Sequence, residues 1–439
     1  MIKLKWNRYV ELINGDKSDL VYNWKNTQVY MLPRNTTAKI EEYLIKRECA
    51  NEEIKTIITQ LYLEKVLIGE DDVESHCSQN IEGKEKGKTG AVYFMPSMKC
   101  NFRCPYCFVG TEVNKLDGRL MSEFIIDNAA DFISKEVKEN SINDLRVLLF
   151  GGEPTLNIDK HFIFMKKLNS KVNIRIQYVL VTNGWYMPFE EIDEMIEEGL
   201  ETIQITLDGP RKIHNQRRKL RNGRGTYDKI IANVIKLKDK NIKLAIRVNV
   251  ARNNIDYIGQ LIDDLVSIEL VDRIVFQIVP VDPSDFSKES GYDAEVLEKF
   301  ADVYKKAVKN KIAIVNWNRG CSVRSKLFFA IDPKGDLYKC PDYVGERNAC
   351  IGNVLTGYNA KYYDYINLSI DKECINCKEY NLCRGGCQYL RDIQASKNAY
   401  CIKDALKKVN KSYLLAKYDK EYSELRANNI GKILSKMNK

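Results

Sequence analysis

Three cysteines near residue 100 have the spacing of a metal-binding loop. Cys100, Cys104 and Cys107 follow a C-x3-C-x2-C pattern directly after an apolar run. Iron–sulfur cubanes are normally held by four cysteine thiolates, so a loop with three either borrows a fourth ligand or leaves one iron open to a small molecule. An open iron can carry out chemistry. A zinc knuckle or a buried cysteine cluster is the structural alternative.

The aromatic Tyr106 just before the last cysteine makes the pattern more specific. With it, the loop resembles the signature of the radical S-adenosylmethionine (radical SAM) enzymes. The resemblance implies a 4Fe-4S cluster on Cys100, Cys104 and Cys107, whose open iron chelates the amino and carboxylate groups of S-adenosyl-L-methionine (SAM). It also implies that one electron from the cluster splits SAM into methionine and a 5'-deoxyadenosyl radical.

A second group of cysteines lies between residues 321 and 401. In a long chain without a secretion signal, grouped cysteine spacings indicate metal ligation rather than a disulfide framework. The group reads Cys321-x13-Gly335-x4-Cys340, then Cys374-x2-Cys377-x5-Cys383-x3-Cys387, then Cys401. Every element resembles the seven-cysteine SPASM pattern of radical SAM enzymes, which implies two auxiliary clusters and therefore three 4Fe-4S clusters in all.

The same resemblance divides these cysteines into two ligand sets. One auxiliary cluster takes Cys374, Cys377, Cys383 and Cys401, and the other takes Cys321, Cys340 and Cys387. The second set is one ligand short. Either one iron is open, which we favour, or Cys350 is the fourth ligand. An open iron there would be able to bind a substrate thiolate and would suit the formation of a thioether.

A glycine pair follows the second predicted strand of the barrel described below. Gly151-Gly152-Glu153-Pro154 looks like the GGEP segment of the family, whose backbone and Glu bind the ammonium end of SAM. Glycine lets the backbone approach a ligand closely. By itself such a segment is typical of a turn, but its position about 45 residues after the cysteine loop makes it specific.

Polar residues end the third and fourth predicted strands. The resemblance implies that Thr182, Asn183 and Thr206 reach the ribose and sulfonium regions of SAM, while Asp208 either does the same or caps the turn at Gly209-Pro210. It also implies that Arg218 holds the SAM carboxylate as a bidentate pair.

Three polar residues interrupt otherwise apolar strands further along the chain. Arg247, Asn249 and Gln277 are either substrate contacts inside the barrel or internal hydrogen-bond partners, since buried polar side chains need partners.

Strand and helix patterns alternate from residue 91 to about 318. The predicted strands cover 91–95, 145–150, 174–181, 202–207, 244–250 and 274–281, and the predicted helices cover 122–135, 160–168, 189–198, 227–238, 255–268 and 294–309. Ser122 and Asn254 occupy N-cap positions. Such units predict an α/β fold with a parallel sheet. The number matches the partial (βα)6 barrel of radical SAM enzymes, in which chemistry occurs at the C-terminal ends of the strands.

The first 85 residues predict a separate small domain. Strand patterns at 10–13, 20–24 and 28–32 precede two helical patterns at 37–45 and 52–61. This order resembles the winged-helix module with which many peptide-modifying enzymes hold the leader of their substrate, by adding it as a strand to a sheet edge. A generic N-terminal extension is the alternative.

The predicted organisation is therefore a winged-helix-like leader-recognition domain (1–85), a radical SAM partial barrel (86–318), a SPASM domain (319–405) and a basic C-terminal helix (406–439). Net charge is +9, and we expect the lysine-rich C-terminal face to be solvated rather than to bind nucleic acid. The sequence contains no run of eighteen apolar residues and no signal-peptide pattern, so we expect a cytoplasmic protein without a membrane partner.

The combined patterns predict a radical SAM oxidoreductase that acts on a ribosomally made precursor peptide and installs a cross-link. A thioether is favoured over a carbon–carbon or carbon–oxygen bond. A sulfatase-maturing enzyme, which forms formylglycine, is a second candidate, although those relatives carry an Asp directly after the cysteine that matches Cys340, whereas here Pro341 and then Asp342 follow. A non-catalytic electron carrier is a third. The resemblance also implies a reductase partner such as flavodoxin or ferredoxin.

Overall fold

The computed structural model describes residues 3–48, 51–72, 89–107, 119–282, 290–317, 320–393 and 401–419. The domain boundaries predicted at 85/86 and 318/319 lie outside these ranges. Among the described residues, no helix has both the length and the apolar character needed to cross a bilayer.

The N-terminal region forms two small antiparallel sheets and two helices. Its elements are β1 (Leu4–Trp6), β2 (Val10–Asn14), β3 (Ser18–Asn23), β4 (Gln28–Pro33), α1 (Thr36–Lys46), α2 (Glu52–Leu63) and β5 (Leu67–Gly69). Strands β2, β3 and β4 form one sheet in that order, and β1 pairs with β5. The sequence predicted all of these except β1 and β5, because three residues are too few to establish a two-residue period.

Both faces of the β2-β3-β4 sheet are buried. Leu20 and Met31 belong to the main core of the molecule, whereas Val21 and Tyr30 pack with α1 and α2 in a smaller core. Because side chains alternate between the two faces of a strand, one short sheet serves two cores. The N-terminal region is thus packed onto the rest of the chain and is not merely joined to it.

The central sheet contains the six predicted strands and two more. Its parallel strands are β6 (Thr89–Phe94), β7 (Asp144–Leu149), β8 (Arg175–Thr182), β9 (Leu200–Thr206), β10 (Lys243–Val250), β11 (Ile274–Pro280), β12 (Ala313–Val315) and β13 (Phe328–Ile331). They lie in chain order from β6 to β12, and β13 pairs with β6 on the other side. The two ends of the sheet do not pair with each other, which is consistent with a partial barrel.

The strand connections contain the predicted helices. These are α3 (Glu123–Glu139), α4 (Ile158–Lys171), α5 (Phe189–Glu197), α6 (Arg211–Arg217), α7 (Tyr227–Leu237), α8 (Ile258–Ser267) and α9 (Ala294–Lys309). Helix α6 was not predicted, because it is short and its sequence has almost no apolar residues. Ser122 caps α3 by accepting from the amide of Ile125 at 3.3 Å.

Asn254 occupies the predicted N-cap position, but it precedes a 3-10 turn and its side chain does not cap that turn. It accepts from the Ala251 amide at 2.7 Å and donates to the carbonyl of Asp208 at 2.9 Å instead. An amide side chain can form hydrogen bonds with several buried backbone groups at once. Here the hydrogen bonds of Asn254 to these backbone groups take the place of a capping bond.

The two faces of the parallel strands differ in composition. Val92 and Phe94 are fully buried on the helix-covered face, and the Phe94 ring stacks on Phe164 of α4 with centroids 3.8 Å apart. Tyr93, Arg247 and Gln277 occupy alternate positions and are half-exposed. They therefore point to the open face of the sheet, where the sequence predicted Arg247 and Gln277 to lie.

The second cysteine region continues the same sheet. Strands β14 (Asp336–Tyr338), β15 (Cys350–Asn353) and β16 (Gly357–Tyr358) follow β13 in antiparallel order, giving eleven strands in all. Five helices follow: α10 (Ala360–Ile366), α11 (Lys372–Ile375), α12 (Tyr380–Cys383), α13 (Gln388–Ile393) and α14 (Lys403–Tyr418). Gly335 makes the β13–β14 turn at φ 81°, where a Cβ atom would also approach Val354 to 2.7 Å.

Helix α14 lies between the N-terminal sheet and the barrel. Leu406 and Val409 are fully buried, and the helix packs along α9 and touches β3. Just after it, Asp419 accepts hydrogen bonds from the amides of Asp16, Lys17 and Ser18 at 2.8–2.9 Å. The predicted basic helix therefore has a buried side as well as a lysine-rich one, and residues 420–439 of that prediction lie outside the described ranges.

Candidate active site

The cysteine loop lies just beyond the C-terminal end of β6 and packs tightly against the glycine pair that follows β7. The amide of Gly152 donates to the Ser97 carbonyl at 3.0 Å, and that of Glu153 donates to the Lys99 carbonyl at 2.8 Å. A Cβ atom at Gly151 would lie 2.3 Å from the Ser97 carbonyl oxygen. The glycines therefore allow close approach of the cysteine loop itself, a partner that the sequence analysis did not foresee.

The three loop thiols lie close together. Burial, with negative charge on Glu153, Cys107 and Cys104 as smaller causes, raises the pKa of Cys100 to about 12. Burial is also the main cause that raises the pKa of Cys104 to about 12, although the neighbouring Arg218 opposes the increase. Thiols that are buried away from solvent ionise only if positive charge lies beside them. The iron ions of a bound cluster would provide that charge.

Glu153 joins the ends of β7 and β8. Its buried carboxylate accepts from the Thr155 hydroxyl at 2.7 Å, the Thr182 hydroxyl at 2.5 Å and the Asn183 amide at 2.7 Å. Burial raises the pKa of Glu153, while these hydrogen bonds lower it. Asn183 in turn donates to the side chain of Asn101 at 2.7 Å. The predicted residues Glu153, Thr182 and Asn183 thus form one network, which reaches the cysteine loop.

A second network joins the loop to the ends of β9 and β10. The hydroxyl of Tyr106 hydrogen-bonds to the buried carboxylate of Asp208 and accepts from Arg218 at 2.8 Å. The same carboxylate accepts from Arg217 at 3.4 Å and from the backbone amide of Asn249 at 3.1 Å. Asp208 therefore neutralises buried arginine, a role that neither of the two predictions for it, a SAM contact or a turn cap, included.

Two donors at this site lack partners among the described residues. They are Nε of Arg218 and Nδ2 of Asn101, and both are buried. An unpaired buried donor costs about 1–3 kcal/mol unless a ligand satisfies it. A cationic donor on one side and an amide beside the thiols suit a ligand with a carboxylate and other polar atoms. The residues present therefore fit SAM and a three-cysteine cluster.

The remaining predicted residues surround this centre. Pro154 begins the 3-10 turn after Glu153 and is buried. Thr206 ends β9 beside Arg247 of β10, which lies next to Gln277 of β11 in register. Arg247 donates to the side chain of Asn249 at 2.9 Å. The open face of the sheet therefore carries polar side chains directly beneath the loop.

Four cysteines of the second group gather at α11, α12 and the start of α14. Burial is the main cause that raises the pKa of the Cys383 thiol, and negative charge on Cys401 and Cys374 contributes as well. Burial also raises the pKa of the Cys377 thiol, with a smaller contribution from Cys374. Cys374 is in turn affected by Cys401. The structure thus brings together the four cysteines that the resemblance assigned to one cluster.

The other three cysteines lie at the junction with the barrel. Burial raises the pKa of Cys340, and Asp342 and Cys387 raise it further. Cys340 also lies close enough to Tyr93 of β6 to raise the pKa of that phenol. Next to Cys321, Gly320 packs against Leu382 and Arg384, beside the Cys383 to Cys387 turn.

Cys350 points elsewhere. Its thiol donates to the carbonyl of Gly352 at 3.2 Å. Burial is the main cause that raises the pKa of this thiol, and negative charge on Asp336 and Asp332 contributes as well. Its strand partner is Tyr338. In the parts of the chain that the structure describes, no three His, Cys, Asp or Glu side chains are close enough for a single metal ion. A cubane spreads its ligands over separate irons and needs a wider arrangement.

The N-terminal region covers the first of these cysteine groups. Tyr9 is buried against Tyr380, with Cys374 and Cys377 packed beside them. Lys378 donates to the Val10 carbonyl at 2.8 Å. Two further bonds, from Arg8 to Asn376 at 3.3 Å and from Asn381 to the Lys25 carbonyl, extend this contact. The C-x2-C turn is therefore sealed by residues more than 350 positions earlier in the chain.

Several residues of the site were not predicted. Arg217 and Asn101 hold the two networks together, and Arg221 donates from its Nε to the Cys100 carbonyl at 2.8 Å. Asn249, which was predicted to be either a substrate contact or an internal hydrogen-bond partner, donates to the Tyr106 hydroxyl at 3.3 Å. The signal for the arginines is the basic run at 217–224, whereas Asn101 gives no signal, because isolated asparagines are common in loops.

Comparison with known proteins agrees with this arrangement. Residues 95–265 match the model of the radical SAM superfamily. The chain is 24% identical over 375 residues to the radical SAM cyclopropyl synthase TigE of Paramaledivibacter caminithermalis, covering 77% of each chain. It is 26% identical over 326 residues to a cysteine-type anaerobic sulfatase-maturating enzyme of Clostridium novyi, covering 66% of this chain and 86% of that enzyme.

Solved structures share the fold. Native anSMEcpe with bound AdoMet aligns with a TM-score of 0.57 at 19% identity, over 77% of this chain and all of that one. Streptococcus suis SuiB bound to S-adenosylmethionine aligns with a TM-score of 0.55 at 15% identity, over 89% of this chain and 97% of that one. Together with the loop, the two networks and the parallel sheet, these matches identify residues 95–265 as a radical SAM domain, related both to TigE and to anaerobic sulfatase-maturating enzymes.

Proposed function

We propose that this protein is a radical SAM peptide maturase, in which Cys100, Cys104 and Cys107 hold the cluster that binds SAM. When bound, cluster and SAM supply a 5'-deoxyadenosyl radical, which abstracts hydrogen from a ribosomally made precursor peptide. Arg218 holds the SAM carboxylate, while Glu153 keeps Thr182 and Asn183 in place around the cofactor. Tyr106, fixed by Asp208 and Arg218, shapes the wall beside the last loop cysteine.

The proximity of Cys340 to Tyr93 carries the proposal. It brings the second cysteine group near the open face of the sheet, on which a peptide would meet the radical, since Ala330 of β13 pairs with Tyr93 of β6. We propose that Cys321, Cys340 and Cys387 hold an auxiliary cluster there with one iron free for a substrate thiolate, and that Cys374, Cys377, Cys383 and Cys401 hold another. The orientation of Cys350 towards Gly352 supports the three-cysteine set.

The favoured product is a thioether between a cysteine sulfur and a carbon of the peptide. The net reaction removes two hydrogen atoms from the peptide, one from carbon and one from sulfur, as the carbon–sulfur bond forms. The adenosyl group of SAM would take the first, and the second would leave as a proton to solvent and an electron to the auxiliary cluster that we propose on Cys321, Cys340 and Cys387. A carbon–carbon bond within the peptide is the alternative to the thioether, and the similarity to a cyclopropyl synthase supports this alternative. A reductase such as flavodoxin or ferredoxin supplies the electron, and we expect the protein to act in the cytoplasm.

The N-terminal region is proposed to be the leader-binding module. Three antiparallel strands and two helices suit the capture of an extended peptide at a sheet edge. Its close packing on the Cys374 to Cys383 segment would bring a bound leader near the second cysteine group. In the solved structures, SuiB has been seen with its precursor peptide SuiA and anSMEcpe with short peptides.

Formation of formylglycine is the second candidate, and one contact favours it. The Asp342 carboxylate lies 3.2 Å from the Cys340 sulfur and close to Tyr93, so a proton acceptor stands at the barrel wall although Asp342 is displaced by one position in sequence. The similarity to cysteine-type sulfatase-maturating enzymes supports the same reading.

Mass spectrometry of a candidate peptide separates these products. Peptides encoded by small cysteine-containing reading frames next to the gene would be co-expressed with the enzyme. Co-expression with a Cys104→Ala enzyme, which lacks one proposed cluster ligand, is the control. A thioether removes two hydrogens and blocks alkylation of the cysteine by iodoacetamide. A carbon–carbon link removes two hydrogens but leaves the thiol reactive, and formylglycine gives an aldehyde that captures a hydrazide. Failure of reduced enzyme to release 5'-deoxyadenosine with any peptide would contradict the proposal.

A further inference from the structure

A basic surface covers the outside of the cysteine loop. The residues around the loop, 96–107 and 209–226, contain no Asp or Glu. They contribute seven exposed cations, of which Arg211 pairs with Asp228. No ion pair of the described residues neutralises the other six. Five of these six, here called the basic rim, lie on the loop and on the segment that pairs with it: Lys99, Arg103, Lys219, Arg221 and Arg224. This concentration exceeds what the net charge of +9 spread over 439 residues would give by chance at one site.

Backbone pairing fixes where these side chains point. The Arg103 amide donates to the Lys219 carbonyl at 2.9 Å, and the Arg221 amide donates to the Asn101 carbonyl at 3.0 Å, around a bridge between Phe102 and Leu220. Phe102 and Leu220 point inward to the core. Since side chains alternate along paired strands, Arg103, Lys219 and Arg221 point outward together.

Arg103 and Lys219 are direct cross-strand neighbours of like charge. Such pairs destabilise a ladder by roughly 0.2–1 kcal/mol. No acidic side chain in the described part of the chain forms an ion pair with either residue, so an external anionic partner is the natural compensation. Arg221 connects this surface to the site directly, because its guanidinium also holds the carbonyl of Cys100, one of the three loop cysteines.

We propose that the basic rim is the docking surface for an acidic one-electron carrier protein, such as a flavodoxin. The inference rests on the proposed radical chemistry, since the Cys100–Cys107 cluster must receive an electron from outside. Docking on the rim would bring a carrier's redox group to within a few residues of the loop, from the side opposite to the open face of the sheet where the peptide binds. Complementary charge would also speed the encounter and make it dependent on salt.

Charge reversal of two rim residues outside the catalytic machinery tests the proposal. The variant Lys219→Glu with Arg224→Glu keeps the backbone bonds of this segment. We expect the Kd for a negatively charged flavodoxin, measured by calorimetry on the cluster-loaded enzyme, to rise at least tenfold, and its salt dependence to flatten. The matched control is Lys305→Glu with Lys309→Glu, which reverses two exposed charges on α9, a helix whose end faces the opposite edge of the sheet. We expect this control enzyme to bind flavodoxin as tightly as the unaltered enzyme does.

Release of 5'-deoxyadenosine gives the second readout. With reduced flavodoxin as donor, the rate of the rim variant should fall about tenfold at low salt, while the rate with dithionite and the iron content stay unchanged. No release with dithionite from the unaltered enzyme would refute the proposed function, which makes the two failures distinguishable. Equal flavodoxin affinity in the rim variant and the control, or an equal loss of 5'-deoxyadenosine release with dithionite as donor, would each overturn the docking proposal.

Discussion

The two cysteine regions are built differently. The Cys100–Cys107 loop has three thiols, two buried donors without partners among the described residues, and a network of buried charge around Asp208. The group of Cys374, Cys377, Cys383 and Cys401 has four thiols, and Tyr9 of the N-terminal region covers the first two of them. An incomplete thiol set beside free donors suits a site that takes a ligand and reacts. A complete set suits a cluster that only transfers electrons or stabilises the fold.

Removing one thiol from each region should give the largest effects. We expect Cys104→Ala to abolish release of 5'-deoxyadenosine and to remove about one third of the iron, since one of three proposed clusters is lost. Cys377→Ala should remove a similar share of iron but keep SAM cleavage. Cys350→Ala is the control and should change neither. Iron analysis with cleavage assays measures both quantities, and loss of all iron in Cys104→Ala would mean that the loop is structural.

Arg218 tests the unpaired donors of the first region. A charge-assisted hydrogen bond contributes about 1.5–3 kcal/mol, so we expect Arg218→Gln to weaken SAM binding roughly tenfold to hundredfold. Calorimetry on the cluster-loaded enzyme measures this affinity. Arg175→Gln removes an arginine from a surface ion pair at the far end of β8 and should leave SAM affinity unchanged. Unchanged affinity in a folded Arg218→Gln enzyme would rule out its proposed contact with SAM.

Tyr9 tests the cover over the second region, with the smallest expected effect. Tyr9→Ala opens a buried aromatic contact beside Cys374 and Cys377, so iron should be lost to a chelator a few-fold faster, while the release of 5'-deoxyadenosine is retained. Tyr363→Ala, at a tyrosine that is 55% exposed, is the control. Identical rates of iron loss in both variants would show that the N-terminal region does not protect this cysteine group.

Much of the fold followed from local patterns. All six predicted strands and all six predicted helices of the barrel region exist, because regular apolar periods are strong where an element is long and one face is buried. The short strands β1 and β5 and the short helix α6 were missed, since a few residues carry too little periodicity. Cys374 lies near Cys377 and Cys383, as their spacing predicted, because a short loop allows few arrangements; that they ligate one cluster stays a prediction.

The sequence by itself indicated the residues that we propose carry the chemistry: three cysteines that are one ligand short of a complete set, a glycine pair before an acid, and a second cysteine group. Tertiary structure decided their neighbours. That Asp208 serves Tyr106, that the glycines admit the cysteine loop, and that Tyr9 covers Cys377 are contacts across 53 to 368 positions of chain. Local sequence records propensity and spacing, whereas such partners arise only when distant segments compete for the same buried donors, acceptors and volume.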